Sequence, residues 1–343
     1  MTAPGAAPLL SVRGLRSYLA TGAGVVRAVD NVSLTVHEAE VLGIVGESGC
    51  GKSVTCRTIM GLVPAGLAYS SGEVIYHPHG PRSILGASQA ELRALRGAHL
   101  AMIFQDPMTA LNPVRTIGDQ LLEAVTAHAK LTRPEARERA IDLLTRVGIP
   151  APARRLSDYP FQFSGGMLQR ALIAIALASS PRLLLADEPT TSLDVIIQDQ
   201  ILSLLLSLQQ DTGMSMMLVS HDLAVITEVC DRIVVMYAGQ VVEEGTVADI
   251  ITAPRHPYTV ALLDALPQPG RQDPQGPLRS IPGSPPSLID VPGGCRFAPR
   301  CPLAVPECQT WETELLDTGE PGHATRCWRH DQVGRDPAGK VTE

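Results

Sequence analysis

The sequence predicts an α/β fold, and three observations carry the prediction. The apolar run Val41-Leu42-Gly43-Ile44-Val45 leads into Gly46-Glu47-Ser48-Gly49-Cys50-Gly51-Lys52-Ser53, and a helix-compatible stretch from Val54 to Leu62 follows. That is a strand, a turn of the form G-x-x-x-x-G-K-[ST] and a helix, in the order a phosphate-binding P-loop requires. Two further apolar runs end in polar residues: Leu183–Ala186 in Asp187-Glu188, and Met214–Val219 in Ser220-His221-Asp222. Continuous apolar runs of this length read as strands buried on both faces. Finally, residues 9–45 alternate between apolar and polar with glycine turns, as antiparallel strands do; Val25–Val29 and Val32–Val36 are the clearest.

Composition narrows the classes of function. A chain of 343 residues with 45% hydrophobic and 18% charged residues is globular, with room for a large domain and a smaller one. The net charge of −7, without a long basic run, argues against nucleic acid as a partner, and 3% aromatic residues leave few stacking platforms for single strands. No run of about 18 apolar residues is present to span a bilayer. Residues 1–8 lack a charged region followed by an apolar one, so no secretory signal is expected. The expected compartment is cytoplasmic, with cysteines as thiols or metal ligands.

Each motif then has a chemical reading. Successive amides of the glycine-rich turn and the N-terminus of the following helix attract phosphate, Lys52 reaches the β- and γ-phosphates, and the Ser53 hydroxyl ligates Mg²⁺. Tyr18 precedes the β meander, either as a ring stacked on adenine or as a partly buried strand tyrosine. The strand Leu100–Phe104 delivers Gln105, whose amide oxygen can swing onto the magnesium or the attacking water. Residues 117–147 have helical spacing, with Thr132-Arg133-Pro134-Glu135 as a helix start and Gly148-Ile149-Pro150 as a stop. Ser164-Gly165-Gly166 before the apolar helix 171–178 forms a second anion-binding helix N-terminus. Asp187 fits a magnesium ligand acting through water, and Glu188 the group that polarises the attacking water. Asp194 opens an amphipathic helix, His221 lies where a γ-phosphate sensor belongs, and strands 233–236 and 240–243 close the domain.

Taken in order, the P-loop, Gln105, Ser164-Gly165-Gly166, Asp187-Glu188, Asp194 and His221 resemble the nucleotide-binding domain of ABC transporters, over roughly residues 8–253. Within that family the chain is similar to the ATPase subunits of bacterial oligopeptide and dipeptide importers. Phe104-Gln105-Asp106-Pro107-Met108-Thr109-Ala110-Leu111-Asn112-Pro113, Phe163-Ser164-Gly165-Gly166-Met167 and His256-Pro257-Tyr258-Thr259 carry that likeness. Phe161 and Leu168 depart from it, standing where histidine and arginine are common. The resemblance implies a mixed sheet, an antiparallel β subdomain and a helical subdomain at about 110–165. It also implies ATP and Mg²⁺, bound by Tyr18, residues 46–54, Gln105, Ser164–Gly166, Asp187, Glu188, Asp194 and His221, with Glu188, His221 and Gln105 catalytic.

The partners implied are two transmembrane permeases, a second ABC ATPase in a head-to-tail dimer (more often a related chain than a copy) and, indirectly, an extracytoplasmic peptide-binding protein. The place implied is the cytoplasmic face of the membrane. Import of nickel or another small solute, and a soluble ABC ATPase or iron–sulfur redox protein, are the competing readings.

From residue 254 to 343 proline and glycine become frequent and regular periodicity disappears, so this extension is not expected to form a core of its own. It holds Cys295, Cys301, Cys308 and Cys327, and a metal staple is expected there, while Cys50, Cys56 and Cys230 read as small core hydrophobes. Paired C-x2-C knuckles of the zinc type are missing; the family resemblance implies a [4Fe–4S] cluster on these four cysteines, with zinc, or no metal, as alternatives. His323 and His330 are possible substitute ligands, though both read as solvated loop residues.

Overall fold

The computed structural model describes residues 7–63, 68–78, 80–191, 193–266, 281–311 and 314–334. The alternating N-terminal segment forms β1 (Pro8–Thr21) and β2 (Gly24–His37), paired antiparallel. The two strands expected at 25–29 and 32–36 are one long strand, whose register against β1 shifts around Asn31, at φ 59°. β3 (Val41–Val45) enters the P-loop and α1 (Lys52–Ile59) leaves it. β4 (Ala68–Tyr76) and β5 (Arg82–Ser83) complete a four-stranded antiparallel sheet in the order β2-β1-β4-β5.

α2 (Gln89–Leu95) stands where only loop was expected. Its signal is a Ser-x-x-Glu capping box: the Glu91 amide donates to Ser88 Oγ at 3.3 Å, and the Ser88 amide donates to Glu91 Oε2 at 2.7 Å.

β6 (Leu100–Ile103) and the short α3 (Pro107–Ala110) lead into a helical region of α4 (Ile117–Thr126), α5 (Arg133–Arg146) and α6 (Pro152–Arg155). α7 (Gly165–Ala176) returns the chain to β7 (Leu183–Asp187), and α8 (Val195–Thr212), β8 (Ser215–Ser220), α9 (Leu223–Val229), β9 (Arg232–Tyr237) and β10 (Gln240–Thr246) follow. Strands β6, β7, β8, β3 and β9 pair in parallel in that order, and β10 adds antiparallel to β9.

Because side chains alternate across a sheet, the apolar strands feed two cores. Val41, Val45, Leu184, Ala186, Met216 and Leu218 pack with the helical region on one face. Leu42, Ile44, Leu183, Leu185, Met217 and Val219 pack with α1 and the antiparallel sheet on the other. Each valine, leucine, isoleucine or methionine among them contributes about 1.5–3 kcal/mol on burial. That anchors the C-terminal ends of β3, β7 and β8, where the polar residues emerge.

The C-terminal segment docks on this body. α10 (Val247–Thr252) and α11 (Pro257–Asp264) are followed by β11 (Leu316–Asp317) and β12 (Ala324–Thr325). β12 pairs antiparallel with β10 and β11 with β12, so the strands thought to close the domain do not; the sheet runs to eight. Phe297, 1% exposed, meets Tyr237 of β9 edge-on at 5.3 Å and Tyr258 of α11 at 5.4 Å. The segment thus buries its apolar residues in the core of the body. The rest of the expected extension, 267–280, 312–313 and 335–343, lies outside the described residues. Among the described residues no helix is long and apolar enough to cross a membrane.

Candidate nucleotide site

The P-loop is wrapped tightly on its neighbours. A Cβ on Gly46 would lie 2.1 Å from the Met236 carbonyl oxygen. One on Gly51, at φ 104°, would lie 2.1 Å from that of Ala28, so these positions accept only glycine. Lys52 is buried, and its ammonium donates to the carbonyls of Gly46 at 2.7 Å and Glu47 at 3.1 Å. Ser48 and Gly49 are exposed at the crest of the loop, while Cys50 is buried and Val54 half-buried.

At the end of β7, Asp187 accepts a hydrogen bond from the Ser53 hydroxyl at 2.7 Å. Its second oxygen, Oδ2, is buried with no hydrogen-bond partner. Burial is the main reason its pKa lies above the ordinary carboxylate value. A hydroxyl beside a buried, half-satisfied carboxylate is the donor set a hard cation takes, so Ser53 and Asp187 fit Mg²⁺.

Glu188 adopts the left-handed backbone at φ 47°, which costs a non-glycine residue about 1–3 kcal/mol. The strain is held by its amide, which donates to the Val219 carbonyl at 3.1 Å, and by the groups that converge on its carboxylate. Gln105 Nε2 lies 3.0 Å from Oε2, Thr191 Oγ1 2.8 Å and His221 Nδ1 3.4 Å, while Lys52 Nζ is 3.8 Å from Oε1. The ends of β3, β6, β7 and β8 thereby bring Lys52, Gln105, Glu188 and His221 into one cluster. Thr191 is a member that no sequence pattern marked.

Two expected groups lie elsewhere. Ser164 caps α7, its hydroxyl accepting from the Met167 amide at 3.3 Å, and is exposed with Gly165. Asp194 caps α8, accepting from the Ile197 amide at 3.0 Å. Among the described residues no hydrogen bond joins Ser164–Gly166 or Asp194 to residues 46–54. Tyr18 is half-buried, and its hydroxyl donates to Asp30 at 2.7 Å. Phe161 is 70% exposed and stacks on Tyr159 at 5.6 Å, and Leu168 is buried inside α7. Neither touches the cluster.

The C-terminal segment reaches the loop from outside. The Tyr258 hydroxyl accepts from the Glu47 amide at 2.9 Å, and Arg300 forms a two-pronged ion pair with the Glu47 carboxylate at 2.7 and 3.0 Å. Arg296 pairs with Asp30 and donates to the Ala238 carbonyl, and Arg326 donates to that of Val241 at 2.7 Å. Each of these arginines adjoins a cysteine: Cys295-Arg296, Arg300-Cys301 and Arg326-Cys327.

The four cysteines line one cavity together with His256 and Phe297. Burial raises the thiol of Cys295, that of Cys301 to about 11 and that of Cys327 to about 12. Among the described residues no group of three or more His, Cys, Asp or Glu side chains is arranged to hold a metal ion. His323 is not the solvated residue expected. It is 1% exposed and pairs with buried Glu243 at 2.8 Å, because the β11–β12 ribbon that carries it docks on β10. His330 opens a 3₁₀ turn.

The ABC transporter family model matches residues 29–191, and the model for the C-terminal region of oligopeptide/dipeptide transporters matches residues 242–308. A probable peptide ABC transporter ATP-binding protein of Sinorhizobium fredii is 48% identical over 331 residues, 96% of this chain and 97% of that one. The chain belongs to the oligopeptide/dipeptide family of ABC transporter ATP-binding proteins. The dipeptide transport ATP-binding protein of Escherichia coli is 48% identical over 95% of this chain and 98% of its own. Its Bacillus subtilis counterpart is 46% identical over 94% and 95%. Among solved structures, an ATP-binding cassette dimer in a post-hydrolysis state, bound to ADP and Pi, superposes with a TM-score of 0.62 at 28% identity. It covers 69% of this chain and 98% of that one. As in that family, the site of this chain binds ATP.

Proposed function

We propose that this chain is the ATP-hydrolysing subunit of an importer for dipeptides or oligopeptides, acting as one half of a head-to-tail ATPase pair at the cytoplasmic face of the membrane. The observation that carries it is the division of the motifs. The loop, Gln105, Asp187, Glu188 and His221 form one cluster, whereas Ser164–Gly166 and Asp194 face outward on α7 and α8, as a second ATPase would require. The dimeric likeness supports the same pairing.

In this reading the loop amides and Lys52 hold the β- and γ-phosphates, and Tyr18 offers its ring to adenine. Ser53, and Asp187 through water, would hold Mg²⁺ with Gln105 in reach, and the ion would supply positive charge against the phosphates. Glu188 orients the attacking water, to which Gln105 on its carboxylate can also reach, and His221, on the same carboxylate, senses the γ-phosphate. Ser164–Gly166 and Asp194 serve the nucleotide of the partner subunit. Closure of the pair is favoured by the higher affinity of ATP for the closed state, and the helical region passes the motion to two permeases, which an extracytoplasmic peptide-binding protein supplies. Peptide as solute rests on the relatives of that description.

For the four-cysteine cavity the donor chemistry fits a [4Fe–4S] cluster held by Cys295, Cys301, Cys308 and Cys327, which would supply a covalent staple to a segment without its own core.

Affinity purification of the tagged chain from detergent-solubilised membranes tests the assignment. Two multi-spanning permeases and a second ATPase are expected to co-purify. Recovery of ribosomes, of DNA or of the chain alone would refute it.

A further inference from the structure

Glu47 poses an electrostatic problem. It is the second residue of a loop that collects a polyanion, and its own carbonyl holds the Lys52 ammonium at 3.1 Å. A free carboxylate there would repel the phosphates that the loop is built to bind. The structure places Arg300 against it in fork geometry, 2.7 and 3.0 Å from its two oxygens, with 4% of the arginine side chain and 25% of the glutamate side chain exposed. The fork is itself held by the Tyr237 hydroxyl at 3.1 Å and the carbonyls of Pro282 at 2.8 Å and Ile281 at 3.3 Å. Tyr258 fixes the same residue through its amide. Its ring is placed by the His256 cap of α11, where the Tyr258 amide donates to His256 Nδ1 at 3.1 Å. That bond needs a neutral imidazole, and burial, with the Arg326 charge second, holds the His256 pKa near 3.

We propose that the C-terminal extension completes the nucleotide site of its own chain: Arg300 neutralises and orients Glu47, and so removes a negative charge from the phosphate loop. Arg300 is therefore a positioning residue, acting on nucleotide through Glu47, and Tyr258 supports it. The inference deepens the reading of this cluster as an ATP site and rests on it.

The test is ATP affinity of the full-length chain, measured by titration under non-turnover conditions, together with KM and kcat of the intact transporter. Arg300→Met keeps the apolar stem and removes the charge. It is expected to weaken ATP binding and raise KM roughly fivefold or more, an effect that shrinks at high salt, with kcat within about twofold of wild type. Arg300→Lys, which keeps the charge without the fork, should fall between the two.

The deciding variant is the double substitution Arg300→Met with Glu47→Gln. If the defect is the exposed carboxylate, removing that charge restores affinity to within about twofold of Glu47→Gln alone. A double variant as weak as Arg300→Met would overturn the proposal and leave Arg300 as a packing residue, and so would wild-type affinity in Arg300→Met. A wild-type chain that binds no ATP would instead refute the nucleotide assignment beneath it.

Discussion

The pair Arg296–Asp30 ties residues 266 positions apart, the extension to β2, and its strength can be worked out from its surroundings. The side chains are 6% and 12% exposed, so the value of a surface ion pair does not apply. Breaking one buried partner typically costs about 3–5 kcal/mol. In Arg296→Met, Asp30 would keep the Tyr18 hydroxyl at 2.7 Å and Arg16 at 3.6 Å, which places the cost at the low end, ~3 kcal/mol. About 1 kcal/mol of that belongs to the Ala238 carbonyl, which also loses its donor. The remainder, ~2 kcal/mol, is the coupling with Asp30.

Equilibrium urea unfolding of wild type, Arg296→Met, Asp30→Asn and the double variant reads these terms directly. The two single losses should exceed the double loss by that coupling. Acid provides a second reading. Burial by itself would raise the Asp30 carboxyl, but the Tyr18 hydrogen bond and Arg296 outweigh it and hold the pKa below its ordinary value of 3.8. A depressed carboxylate contributes stability that is present above 3.8 and lost as pH falls through the folded-state value. The gap between wild type and Arg296→Met should therefore narrow below pH 4. Single losses that add to the double loss within about 0.5 kcal/mol would refute the reasoning.

Two further outcomes are expected. Glu188→Gln keeps the loop and Lys52 intact, so it should bind ATP yet hydrolyse it at least ~100-fold more slowly; near wild-type turnover would remove the role given to Glu188. Anaerobically purified protein should contain about four irons and four sulfides per chain and no stoichiometric zinc. A colourless, iron-free, fully active preparation would eliminate the cluster.

How much of this was legible in the sequence follows from the range of the interactions. The P-loop and the Asp187-Glu188 end of β7 are local patterns, a strand followed by residues whose chemistry survives any packing, and they fall where expected. α2 was legible too, through Ser88 and Glu91, but its short apolar content hid it among loop residues. His323 was misread because its burial depends on the ribbon docking against β10, a contact 80 residues away in the chain. The arginines beside the cysteines carried no signal in the sequence, since Glu47, Asp30 and the Ala238 carbonyl come near them only after the extension folds back. Thr191 had no signal beyond lying three residues past Glu188.

The β11–β12 ribbon has a consequence for the solubility of the chain. Without it β10 would be the border of the large sheet, offering the unpaired amides and carbonyls of a seven-residue strand that carries buried Val241 and Val242. Such a border invites another chain to pair with it. The ribbon covers Glu243 and Glu244 in the middle of that border and presents a strand of two residues in their place, too short to template a neighbour. A chain cut after residue 253 would thus be less a minimal ATPase than a sticky one, and the extension acts as a guard against aggregation.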